Sequence, residues 1–270
     1  MAPVQLRLED EGAPAFAPRV VEILNSALAL DSPTSPSQAA TALNALCAED
    51  YAEHGTAGSF LWWFWDLVHD LARQIPYDSP EQDRLAAIIQ ALPKLPTEAV
   101  NLGEDWGGAS ENRVQPWEGL PMFANTFREK LDDTDSRATE GTQKKERRVN
   151  LEAYASRIAG LGLIPSDMYA IWALADALEG SMTPIRGAPD EVNEDPTAVE
   201  DISYKVKSAA AWMIHAGHVL YGRDEEVLGA TAGPLWRLDK KEAMKLRHKV
   251  RQEAADAYAT MIKIEKDKSS

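Results

Sequence analysis

The chain has 270 residues, 44% of them hydrophobic, which is ample for a packed core in one large domain or two small ones. Its 28 Lys and Arg against 43 Asp and Glu leave a net charge of -15, which opposes binding to nucleic acid or to an anionic membrane, because such binding needs clustered cations. A single cysteine, Cys47, excludes an intrachain disulfide, and spaced ligand sets for zinc or iron–sulfur sites are absent.

The first twelve residues, MAPVQLRLEDEG, have no apolar signal core, and no stretch approaches membrane-spanning length. The expectation is a cytoplasmic protein with no membrane span, formed as one domain over 1–270 with flexible ends at 1–14 and 265–270. Helical apolar spacing, rich in Ala and Leu, runs through 16–30, 36–53, 58–75, 80–92, 120–131, 148–162, 166–179, 197–221 and 239–264. Strand-like alternation bounded by turns is missing. These patterns predict an all-α fold, a single compact multi-helix globular domain with long connecting loops. The connectors are 93–116, 132–146 and 180–196, rich in Gly, Pro and polar residues, and the middle one reads as a mobile surface loop. Cys47, within ALNALCAED, reads as a packed helix residue.

Residues 60–84, FLWWFWDLVHDLARQIPYDSPEQDR, carry the strongest signal. At 100° per residue Phe60, Phe64, Leu67, Val68, Leu71 and Ile75 share one arc, and Asp66, His69, Asp70 and Arg73 share the opposite one. Trp62 and Trp63 fall within or beside the polar arc, so the first turn is apolar all round. Ser79 fits an N-cap, Pro80 the first helical position and Gln82 the capping-box partner, so a new helix starts there. Asp66, Asp70, Asp78 and Asp83 then gather at one helix-turn-helix corner.

A second constellation lies on 197–221, where Tyr204, Ser208, Ala211, His215 and His218 share one side. Two histidines three residues apart suit a metal or a proton relay, or a plain structural role. Trp212 sits on the next arc. In TAGPLWRL, Thr231 to Leu238, Trp236 anchors a last helix and Arg237 is a candidate anion contact. No GxSxG, HExxH, GxGxxG or phosphate-binding glycine loop is present, so the hydrolase and nucleotide readings lack their usual supports.

The phrases WDLVHDLARQIPYDSPEQDRL, WEGLPMFANTFREKLDD, NLEAYASRIAG, YAIWALADALEG, AAAWMIHAGHVLY and AGPLW, in that order, resemble the motif series of the fungal domain-of-unknown-function family 3632. The resemblance covers roughly residues 60–250 and implies an all-helical, mostly cytosolic fungal protein with no general assigned activity. The tail after AGPLW departs from it, being rich in Lys and Ala.

Asp66 and Asp70, one turn apart, can point to one spot, and hard oxygen ligands on a helix wall are what Mg²⁺ takes beside a phosphate. Above an aromatic pocket that arrangement resembles class I terpene cyclases, and non-canonical fungal sesquiterpene cyclases without a matched motif. The implied chemistry is ionisation of a prenyl diphosphate by an Mg-dependent lyase of secondary metabolism. Asp66 and Asp70 would bind metal, Arg73 the diphosphate, and His69 would orient a carboxylate. Trp62, Trp65, Trp172 and Trp212 would shape the pocket, with His215, His218 and Arg237 near the substrate. The usual second metal motif is not evident. The alternative is a non-catalytic helical binding or scaffold protein whose tryptophans are core and whose apolar helix faces allow a homodimer.

Overall fold

In the computed structural model, α1 (Ala17–Leu28) buries Val20, Leu24, Ala27 and Leu28, the i, i+4, i+7, i+8 stripe that a helix facing a core requires. The structure describes residues 4–106, 113–132, 141–165, 167–178, 184–185, 188–192 and 202–220. The predicted helix at 239–264, Trp236 and Arg237 lie outside the described residues. The contacts group the chain into two compact units: Met1–Ala170 with Ser203–Arg223, and Ile171–Ile202 with Asp224–Ser270.

The first unit is helical. α2 (Pro36–His54) opens with a capping box: Gln38 N donates to Ser35 Oγ at 3.2 Å, and Ser35 N donates to Gln38 Oε1 at 2.8 Å. Such a cap contributes about 1 kcal/mol. The helix closes on Gly55, whose φ of 73° is left-handed and open to glycine at no steric cost.

α3 (Gly58–Ala72) has no side-chain cap, and its start is secured by a loop instead. Ala57 N donates to the Asn101 carbonyl at 2.8 Å and Gly58 N to the Leu102 carbonyl at 3.0 Å. Asn101 belongs to β1 (Val100–Asn101), paired antiparallel with β2 (Arg113–Val114). This close approach requires glycine, because a Cβ at residue 58 would run into the Trp106 indole and the Leu102 carbonyl.

Beyond it come α4 (Pro80–Ala91), α5 (Phe123–Asp132) and α6 (Gly141–Gly160). α3 contacts α1, α2, α5 and α6, and buries Phe60, Leu61, Phe64, Trp65, Leu67, Val68 and Leu71. Each such side chain contributes about 1.5–3 kcal/mol through burial. α7 (Asp167–Leu178) leaves the unit at Ala170, and α8 (Ile202–Leu220) returns to it, with Trp212 fully buried. In the second unit the described residues are the rest of α7, the antiparallel pair β3 (Pro184–Ile185) and β4 (Ala188–Val192), and Ile202 at the start of α8.

The class is all-α, as expected: eight helices and two short strand pairs among the described residues. Three details differ. The connectors 93–116 and 180–196 each hold one of the strand pairs, whose strands are too short to show alternation in sequence. Residues 141–146, read as the end of a mobile loop, are the first turns of α6, where Gln143, Lys144, Lys145 and Glu146 are good helix formers. Helix α5 starts at Phe123, not residue 120, because Leu120 and Met122 take left-handed φ of 46° and 70°. No helix among the described residues is long and apolar enough to cross a membrane.

Candidate functional site

Asp66 and Asp70 do aim at one point, and the ammonium of Lys130 stands there. Its Nζ lies 2.9 Å from Asp66 Oδ1 and 3.0 Å from Asp70 Oδ2, while Arg73 Nη2 flanks Asp70 Oδ1 at 3.5 Å. The side chains of Lys130, Asp70 and Arg73 are each less than one-tenth exposed, and that of Asp66 is 18% exposed. This is neither a solvated helix face nor an open metal corner. Helix α5 packs along α3 and presents Phe123, Thr126, Phe127 and Lys130 at i, i+3, i+4, i+7, all four buried. Burial raises the Asp66 carboxyl above its ordinary range, with the Lys130 hydrogen bond opposing.

His69, between those carboxylates on α3, is wholly buried and does not orient either of them. Its Nε2 lies 3.3 Å from the Phe123 carbonyl and 3.1 Å from Thr126 Oγ1, and the carbonyl makes Nε2 the protonated nitrogen. Phe123 meets the imidazole edge-on at 4.7 Å, and Phe127 at 5.6 Å. Desolvation pushes its pKa down to about 3, so the ring is neutral at physiological pH. Next to it the expected aromatic wall is packed against itself. Trp65 is fully buried, with Phe64, Phe123 and Trp117 at ring distances of 4.9, 5.1 and 6.0 Å. Among the described residues no cluster of three or more His, Cys, Asp or Glu is placed to hold a metal ion.

A family model described as a protein of unknown function, DUF3632, matches residues 65–252, from Trp65 of this cluster onward. The chain belongs to the DUF3632 family. No curated protein and no solved structure matches it, and nothing in the comparisons supports a likeness to terpene cyclases.

Within this DUF3632 chain the other expected pocket residues are dispersed. Trp62 is half-buried and packs on Trp106 at 5.1 Å. Trp212 Nε1 donates to Glu152 Oε2 at 3.3 Å, and Glu152 Oε1 is 3.0 Å from Arg148 Nε, a buried acid tied to α8 and α6 at once. Trp172 is half-buried on the part of α7 that belongs to the second unit. His218 Nε2 donates to the Gly160 carbonyl at 2.9 Å, which ties off the end of α6. His215 lies where α8 crosses Gly160, and burial lowers its pKa. Asp83 pairs with Arg157 Nε at 2.5 Å rather than joining the Asp66 corner, and Asp78 is exposed.

The Ser79 capping box does not form. Ser79 Oγ caps nothing, because Gln82 is fully buried and its Nε2 donates to the Ile75 carbonyl at 2.9 Å and the Asn150 carbonyl at 3.2 Å, joining the turn after α3 to α6. Cys47 is buried and its thiol is pushed up to about 12 by desolvation, so it is unreactive at neutral pH. The residue that sequence reasoning missed is Lys130. Its position at i+7 from Phe123 and i+3 from Phe127 placed it on the buried arc, a signal that a lysine at the end of an amphipathic helix conceals.

Proposed function

We propose that this DUF3632 protein is a non-catalytic helical binding protein rather than an Mg²⁺-dependent prenyl diphosphate cyclase. The observation that carries this reading is Lys130 between Asp66 and Asp70. A divalent cation at that point needs about six oxygen ligands in octahedral array, whereas both inward carboxylate oxygens already accept from one ammonium. The residues present do not fit Mg²⁺. The packed rings around Trp65 point the same way, since a carbocation needs room that this aromatic cluster does not leave.

The test is incubation of the full chain with Mg²⁺ and farnesyl or geranylgeranyl diphosphate, beside Asp66→Asn and Asp70→Asn variants checked for native circular dichroism. Diphosphate release is expected at the same background level in all three. Release by the wild type that disappears in both folded variants overturns the reading.

A further inference from the structure

We propose that a cleft at the junction of α1, α2 and α3 binds a small organic cation, an ammonium or guanidinium head on an apolar body. The cleft has a volume of about 740 Å³ and lies between the approach to α1, the last turns of α2 and the first turns of α3. That is the size of an ordinary small-molecule pocket. Its apolar base is the ring pair Phe16 and Phe60, with centroids 4.5 Å apart. One wall is Trp63, which is 42% exposed while Trp65, two residues on, is fully buried. A large indole left in water on the rim of a cleft offers a face to a ligand, and a cation is what the face of an indole attracts best.

The charge of the cleft selects the sign of that ligand. Glu49, Asp50 and Glu53 from α2 all line it, against one permanent cation, Arg19. Arg19 is held by Glu49, with Nη1 2.5 Å from Oε2 and Nη2 3.3 Å from Oε1. Among the described residues Asp50 is paired with the His54 ring at 3.4 Å, which is charged only when protonated. Among the described residues no ion pair engages Glu53. The C-terminal carbonyls of α2 add a partial negative charge at the same end. A net acidic rim, an apolar base and an exposed indole together match an amine or guanidine with a hydrophobic stem. An anionic ligand such as a prenyl diphosphate meets like charge here.

This deepens the binding-protein reading by naming its ligand class, and the two fail separately, because diphosphate release is read on Asp66 and Asp70 further along α3. Calorimetric titration of the full chain with 2-phenylethylammonium is the test, with 2-phenylethanol as neutral analogue and 3-phenylpropionate as anion. The cation is expected to bind with a Kd of roughly 1 mM or below, and the other two at least about tenfold more weakly. Trp63→Ala and Glu53→Gln are each expected to weaken it about fivefold or more without lowering Tm, since both side chains are exposed. Three results overturn the proposal: no cation binding, equal binding of the neutral analogue, or full affinity in Trp63→Ala.

Discussion

Lys130→Met removes an ammonium that faces both inward carboxylates of α3. The wild-type contacts are 2.9 and 3.0 Å, and Arg73 Nη2 lies 3.5 Å from Asp70 Oδ1. Breaking a buried ion pair from one side costs about 3–5 kcal/mol, mostly because the other charge stays buried without its partner. That range is the expected loss at neutral pH, read from urea unfolding followed by circular dichroism. The loss has a pH signature. Burial already holds the folded Asp66 carboxyl above its ordinary value, and Lys130 opposes that rise. Without Lys130 the rise is larger. A carboxyl raised in the folded state contributes stability that is fully present below its unfolded value and is lost as pH rises through its folded one. The deficit of Lys130→Met relative to wild type therefore shrinks toward about pH 4 and grows toward neutrality. Adding Asp66→Asn to Lys130→Met is expected to recover part of the loss, since one buried carboxylate is then removed while Asp70 stays beside Arg73. A deficit below about 1 kcal/mol at neutral pH, or one that grows as pH falls, refutes the reasoning.

The folded pKa of His69 is lowered from 6.5 to about 3, so its contribution to stability is complete above about pH 6.5 and is lost as pH falls from there toward 3. Wild type is expected to lose about 1.4 kcal/mol per pH unit more than His69→Leu across that window, measured by urea midpoints at successive pH values; parallel profiles would contradict a buried neutral imidazole. Gly160→Ala places a Cβ inside the His215 carbonyl where α6 meets α8, and is expected to lower stability by about 1–3 kcal/mol, whereas Gly141→Ala, with nothing within 4 Å, is expected to be neutral or stabilising in the same unfolding assay. Cys47, buried with its thiol raised to about 12, is expected to react with a disulfide reagent only after urea unfolding; rapid labelling of the native chain would place it on an accessible surface instead.

Periodicity made helices such as α1 and α2 legible because a helix that buries one face must repeat its buried residues at 3.6, as Val20, Leu24, Ala27 and Leu28 and Ala39, Leu43, Leu46 and Cys47 do. Capping shows where that legibility stops. Ser35-Pro36-Ser37-Gln38 and Ser79-Pro80-Glu81-Gln82 carry the same pattern, yet only the first forms the box. Gln38 is exposed and has only its own N-terminus to satisfy, while Gln82 is buried among the carbonyls of Ala72, Ile75 and Asn150 and donates to those. The motif is local and the competition for its amide is tertiary. The start of α5 was misread for a related reason, since the left-handed backbone at Leu120 and Met122 is imposed on residues that do not announce it.

The same limit explains the site. Helical geometry alone says that Asp66 and Asp70 can aim at one point, and they do; it cannot say what stands there. A divalent cation and an ammonium both call for converging carboxylate oxygens, so the sequence pattern for the two is identical up to this stage. They differ in how many further oxygens must arrive, and that number depends on what the facing helix brings. Here α5 brings Lys130 framed by Phe127 and Thr126, which closes the corner with a donor instead of opening it to a metal. Trp65 and Trp63, two positions apart, then divide the roles that one aromatic cluster was expected to combine. The first is wholly inside the core beside that corner, and the second stands half in water on an acid-lined cleft, where a ligand can reach it.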